Sequence, residues 1–151
     1  MVDTTDRAIL MLLQQNSRVT ASEIAVAVKL SVPAVTERLK KLVECGIIKR
    51  YTAQLDFKRL GFDLTAFITL VSSSSEHYQE IVSKAVDNPA ILECHSVTGE
   101  GSHLLKVRVL NSSALERLLL EIQSWPGVIR THTSVVMSTY KEDVLLNLNI
   151  T

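Results

Sequence analysis

The sequence predicts an α+β chain of two domains, a small helical one followed by a larger mixed one. Three observations predict it. Apolar residues recur at three- and four-residue spacing as far as Glu44, whereas β-branched runs alternating with helical stretches take over from Asp63. The charge divides at the same place. Residues 1–61 hold ten Lys/Arg and six Asp/Glu, a net +4, and residues 62–151 hold six and ten, a net −4, so the overall charge of zero conceals two unlike halves. The turn-like "RLGFD" around Gly61 lies between them.

The first element is a helix over residues 3–15, "DTTDRAILMLLQQ", starting at Asp3 or Thr5, with Ile9, Leu10, Leu12 and Leu13 inward and Asp6 complementing the helix dipole. "NSRVT" is a loop. The second helix, "TASEIAVAVKL", opens with Thr20 and Glu23 at capping-box spacing and presents a narrow face of Ile24, Ala25 and Val28. Only "KLS" separates it from a third helix, the tight connection of a helix-turn-helix. That third helix is capped by Ser31, carries Pro33 in its first turn and ends at Gly46. Val32, Val35, Leu39, Leu42 and Val43 make its apolar stripe, and Ala34, Glu37, Arg38, Lys40 and Lys41 are left to the opposite face. Short residues where a helix nears base edges and cations where it passes phosphates suit the DNA major groove. A ribbon follows at Ile47–Leu55, with Lys49, Arg50 and Tyr51 in "IIKRY" alternating as a strand. Three helices and a ribbon make a winged helix-turn-helix.

The second half reads strand "LTAFITLVS", helix "SEHYQEIVSKAVDN", strand "ILECHSVTG", a turn at "TGEGS", strand "HLLKVRVL", helix "NSSALERLLLEIQSW" and strand "GVIRTHTSVVMST". Tyr78, Ile81, Val82 and Ala85 share one face of the first helix, and Leu115, Leu118, Leu119 and Ile122 one face of the second. Each helix ends at a proline that leads into a strand, Pro89 and Pro126. The order β-α-β-β-α-β is that of a ferredoxin-like sheet with its helices on one face. Apolar residues occupy both alternating sets of the first strand, Leu64, Ala66, Ile68 and Leu70 against Phe67 and Val71, so the uncovered face calls for a partner, and a second copy is the simplest.

Composition narrows the function classes. The chain has 151 residues and 46% hydrophobic content, no apolar run of membrane-spanning length and no secretory leader, which points to the cytoplasm. Cys45 and Cys94 are far apart and lack metal or disulfide spacing, so both are expected as small buried or half-buried fillers. Six cations stand against Glu37 and Glu44 between Lys29 and Arg50, so a polyanion meets this half first.

At this point the chain resembles the Lrp/AsnC, or feast/famine, family of bacterial and archaeal transcription regulators. The resemblance rests on "DRAILMLLQQNSRVTASEIA", "LSVPAVTERLKKLVECGIIKRYTAQLD", the "LG" before the first sheet strand, "VTGEGSHLLKVRV" and "PGVIRTHTSVVMS", in that order and spacing. It implies a winged helix-turn-helix DNA-binding domain with its ribbon linker at residues 1–61 and a ferredoxin-like effector-binding and oligomerisation domain at residues 62–151. It assigns Ser31, Pro33, Ala34, Thr36, Glu37, Arg38, Lys40 and Lys41, with Lys49 and Arg50 on the ribbon, to double-stranded DNA. It points to the hairpin Gly99, Glu100, Gly101, Ser102 and His103, with Thr131, Thr133, Ser134 and Val136 nearby, as the pocket of an amino-acid effector between dimers. Glycines let a ligand carboxylate approach backbone N–H groups, and Glu100 can accept from an ammonium. Ser102 stands where many members carry a second acidic residue, so the resemblance does not single out leucine. Homodimers, octamers of four dimers and a nucleoid-associated place in the cytoplasm are further implications, with no cofactor, metal or membrane partner.

Two rival readings stay open on the sequence. An architectural protein would wrap DNA with low sequence specificity. A decarboxylase similar to the family would use histidines, for which His77, His95, His103 and His132 are the candidates, but no nucleophile, paired-carboxylate or metal-ligand spacing supports chemistry.

Overall fold

The structure, a computed structural model, describes residues 2–142 and 145–148. The chain forms two compact units, Met1–Leu55 with Lys141–Thr151, and Asp56–Tyr140.

In the first unit α1 runs Thr4–Gln15, α2 Ala21–Val28 and α3 Val32–Glu44. Each begins where a side chain satisfies helix N–H groups that have no partner within the helix. Asp3 and Asp6 cap α1 reciprocally, Thr20 and Glu23 do the same for α2, and the Ser31 hydroxyl accepts from the Ala34 N–H. Ile9, Ile24 and Val35, one from each helix, are fully buried at the centre with Ala25, and Leu12, Leu13 and Leu39 pack around them. Burying a side chain of this size stabilises by about 1.5–3 kcal/mol. Two members of the expected α3 stripe do not follow it. Val32 is 42% and Val43 47% exposed, because at 100° per residue they fall on the flank of the sector centred on Val35, Leu39 and Leu42. Cys45 is also exposed rather than a filler.

The expected ribbon strand is absent. Described residues 47–55 form no strand, since a strand exists only as part of a ladder and none of the described segments makes one with them. Later, the chain returns to α1. Gln14 donates to the Leu146 carbonyl (3.1 Å) and accepts from its N–H (2.7 Å), and Arg7 donates to the Leu148 carbonyl.

The second unit consists of β1 (Leu64–Ser72), a 3-10 turn (Ser75–His77), α4 (Tyr78–Asp87), β2 (Ile91–Ser96), β3 (His103–Val109), α5 (Ser112–Gln123) and β4 (Val128–Val135). The strands lie in the order β2-β3-β1-β4, every neighbouring pair antiparallel. Each β-α-β half therefore leaves a gap that a strand of the other half fills, the ferredoxin-like arrangement expected. Ala66, Ile68 and Leu70 of β1 and Leu105, Val107 and Val109 of β3 pack against Ile81 and Ala85 of α4 and Leu115, Leu118 and Ile122 of α5. The other face is less uniformly apolar than the alternation suggested. Phe67 (38% exposed), Thr69 and Val71 share it with Lys106, His132 and Ser134, the residues across the ladder from one another. On the same face Arg108 is buried, its guanidinium 4.0 Å from the centre of the Phe57 ring and its Nε donating to Thr65 Oγ1 at 3.0 Å.

Candidate nucleic-acid interface

The outward side of α3 follows from its capping and its buried stripe. With Val35 and Leu42 inward, the opposite sector holds Pro33, Thr36, Glu37 and Lys40, with Lys41 at its edge. All five are exposed, as are Ser31, Lys49 and Arg50. Ala34 is half-buried. Thr36 donates its hydroxyl to the Val32 carbonyl at 2.9 Å, and its oxygen can still accept. Lys41 pairs with Glu37 at 3.4 Å and Lys40 with Glu44 at 3.8 Å, both spaced i,i+4 on the open surface. Such exposed pairs hold each cation by well under 1 kcal/mol, so a phosphate can take it over at little cost. The α2–α3 turn is made by Lys29 in the left-handed conformation, φ 56, the one non-glycine residue with positive φ among the described residues.

Arg38 behaves differently from its neighbours. Its Nη1 lies 2.7 Å from Asp3 Oδ2 and 2.7 Å from Asp6 Oδ1 at the start of α1, and its side chain is 33% exposed. The Asp3 carboxyl is held below its ordinary range first by the Asp6 N–H and then by Arg38, while both aspartates push the guanidinium up. The pattern Asp3-x-x-Asp6 ahead of an apolar run is a capping signal legible in sequence; that it also receives Arg38 is not.

The hairpin between β2 and β3 is pinned at its ends. The Val97 N–H donates to the Ser102 carbonyl, and Ser102 donates through its N–H (2.8 Å) and hydroxyl (3.3 Å) to the Leu70 carbonyl on β1. Gly101 is pressed against β1: a Cβ there would run into Thr69 Cγ2 and lie 2.9 Å from the Leu70 carbonyl oxygen. Gly99 takes φ 110 in open space, and it and Glu100 are exposed. His103 is 1% exposed, its ring edge-on to Tyr78 at 4.8 Å and its Nδ1 3.0 Å from Ser102 Oγ, so it faces the helices rather than a ligand. Burial lowers its pKa.

Within one chain Thr131, Thr133 and Ser134 of β4, and Val136 just after it, lie away from this hairpin. Thr131 pairs with Leu70 and so lies one strand beyond it, about 10 Å across the sheet. Thr133 and Ser134 pair with Ile68 and Phe67, and the Val136 N–H reaches the Thr65 carbonyl, about 16 Å down the strand. Ser134 sits opposite Phe67 on the uncovered face, whereas Thr131 and Thr133 share the helix side with Leu70 and Ile68. Thr131 instead borders a shallow depression with Gln123, Val128, Ile129 and Arg130. Gln123 donates to its hydroxyl at 3.1 Å. Nothing in the sequence signals this pairing, because an α5 residue is brought to β4 only by packing.

The histidines are scattered. His77 packs over Gly127, His95 pairs with Glu93 at 3.2 Å, and His132 lies in the same cross-strand row as His95 but about 14 Å away. Among the described residues no group of three His, Cys, Asp or Glu is placed to hold a metal ion.

Comparison with known proteins adds to this geometry. A model of the Lrp/AsnC ligand-binding domain matches residues 65–146, and one of a winged helix-turn-helix DNA-binding domain matches residues 2–49. The HTH-type transcriptional regulator FL11 of Pyrococcus horikoshii is 37% identical over 141 residues, 93% of either chain. A transcriptional regulator of Neisseria meningitidis in complex with L-methionine superposes with a TM-score of 0.91 at 32% identity, over 99% of this chain and 98% of that one. The feast or famine regulatory protein of M. tuberculosis, also complexed with L-methionine, superposes with a TM-score of 0.90 at 30% identity, over 97% and 99%.

Proposed function

This chain belongs to the Lrp/AsnC family of DNA-binding transcriptional regulators, and from that premise we propose that α3 reads an operator while an amino acid bound at the β2–β3 hairpin sets the outcome. The observation that carries the reading is the outward sector of α3, where Pro33, Thr36, Glu37 and Lys40 stand exposed on a helix whose inner side is anchored by Val35 and Leu42. Small and hydrogen-bonding groups come first and cations follow, the order that base edges and phosphates require. Ser31 and Ala34 border the same sector, and Lys41, Lys49 and Arg50 supply phosphate contacts. In the cell such a protein works in the cytoplasm, where the nucleoid is.

For the effector, two similar structures carry L-methionine, so methionine is the first ligand to test. Gly99 and Glu100 offer it exposed backbone and a carboxylate, and Thr131 with Gln123 a neighbouring polar edge. A dimer through the uncovered sheet face, carrying Phe67, Thr69 and Val71, would present two copies of α3 to half-sites one helical turn or a multiple apart. Four such dimers make the octamer expected from the resemblance.

The test is fluorescence-anisotropy binding to the promoter of the protein's own gene, at two salt concentrations, with random DNA as competitor and with or without amino acids. Tight, salt-steep and competitor-resistant binding that shifts with methionine is the expected result. Binding that random DNA erases would favour the architectural role instead.

A further inference from the structure

The capping box of α1 and the cation of α3 are a single device. All four carboxylate oxygens of Asp3 and Asp6 accept a hydrogen bond, from three nitrogens. Asp3 Oδ1 accepts the Asp6 N–H at 2.7 Å and Asp6 Oδ2 the Asp3 N–H at 3.1 Å, while Asp3 Oδ2 and Asp6 Oδ1 both take Arg38 Nη1 at 2.7 Å. The start of α1 is therefore fixed by the same carboxylates that hold α3. Arg38 lies in the series Ala34, Arg38, Leu42 along one side of α3, the side that turns inward, and not in the series Thr36, Lys40 that faces out. The apolar contacts of Val35 and Leu39 set how far α3 stands from its neighbours, and their interdigitation already limits rotation about the helix axis. A charged tie at the flank resists it directly. With side-chain tips about 6 Å from the axis, a 20° rotation of α3 moves them by about 2 Å, enough to break a hydrogen bond to a base edge.

We propose that Arg38 is a positioning residue for DNA recognition: tied to Asp3 and Asp6, it sets the rotation of α3 so that Thr36 and Glu37 meet base edges while the longer Lys40 reaches a phosphate, and it makes no phosphate contact itself. This rests on α3 being the recognition helix, and the experiment separates the two ideas. The proposal also explains why the most strongly basic side chain of α3 is spent on two carboxylates of its own chain.

The test compares the full chain with R38A, R38K, D6N, the double variant D6N/R38A, and K40A. Each is titrated against the duplex that the parent protein enriches from a random library and against unselected random duplex, over a series of salt concentrations. Circular dichroism establishes the folded fraction at the assay temperature, to which affinities are corrected. The expected result is a loss of at least tenfold in operator affinity for R38A, with the random-duplex affinity and the slope of log K against log salt unchanged. D6N, whose side chain is away from the outward sector, reproduces part of that loss, and D6N/R38A is no worse than R38A. R38K falls between R38A and the parent. K40A lowers the slope by about 0.9, one phosphate contact.

A fall in slope of that size for R38A would overturn the proposal and make Arg38 a direct phosphate contact. Corrected R38A affinity equal to the parent's would overturn it too, leaving only a staple between helices. If instead K40A matches the parent on both duplexes, or no duplex is enriched, the fault lies with the assignment of α3 itself.

Discussion

Ser102 donates both its backbone N–H, at 2.8 Å, and its hydroxyl, at 3.3 Å, to the carbonyl of Leu70. Leu70 in turn pairs across the ladder with Thr131 on β4 and with His103 on β3. One residue of the central strand therefore links the hairpin, the edge strand and the buried histidine. A ligand that moved the hairpin would have to do so against this anchor.

Gly101 should tolerate no side chain. In G101A the new Cβ meets Thr69 Cγ2, which can turn away, and the Leu70 carbonyl, which cannot without loosening the Ser102 bonds. A loss of about 1–3 kcal/mol is expected, the ordinary cost of overpacking, together with loss of the methionine heat in calorimetry. G99A meets no neighbour but must hold φ 110, so it should cost stability through strain alone. A methionine titration of G101A equal to the parent's would remove the hairpin from the effector site.

Lys29 is an αL residue where glycine would be free of strain. K29G should stabilise the helix-turn-helix by about 0.5–1 kcal/mol, relief of left-handed strain less the entropy that glycine adds to the unfolded chain. Thermal denaturation reads this as a higher Tm. An unchanged or lower Tm would mean that the Lys29 side chain makes a compensating contact.

His103 predicts a pH dependence whose sign is set by burial. Its folded-state pKa lies below the ordinary 6.5, so the unfolded chain binds the proton more readily. The stability it contributes is complete above 6.5 and is lost as pH falls through the folded value. Replacing it in H103F keeps the edge contact to Tyr78 and removes the titration, so Tm measured from pH 7.5 to 5.5 should fall less in the variant. Parallel curves would mean that His103 is not the group responsible.

Glu37 is the acidic residue on the outward sector of α3. It repels phosphates and is available to accept from a cytosine amino group. E37Q should therefore raise affinity for random duplex several-fold and narrow the ratio between operator and random DNA. A ratio that stays constant would take Glu37 away from base reading and leave it a partner of Lys41 alone.

Much of this was legible without coordinates. Thr20 and Glu23, Ser31 and Pro33, and the two helix-ending prolines mark element boundaries through bonds made within a few residues, and such local chemistry is written in order along the chain. The alternation of Ala66, Ile68 and Leu70 likewise declares which side of β1 is buried. Periodicity also put Lys40 and Lys41 on the exposed side of α3, though it put Arg38 there with them.

Tertiary structure decided the rest, because it depends on which distant residues meet. Arg38 looked like a groove-facing cation until α1 brought Asp3 and Asp6 within 2.7 Å of it, a contact across more than thirty positions that no spacing rule announces. Residues 47–55 have the alternation of a strand but make no ladder with any described segment, and alternation cannot supply one. His103 neighbours the hairpin in sequence yet is turned to Tyr78, because successive strand residues face opposite sides of the sheet. The amino acid order determined the helices, the strands and their buried faces; which charges remain free to meet another molecule was settled only when those faces closed.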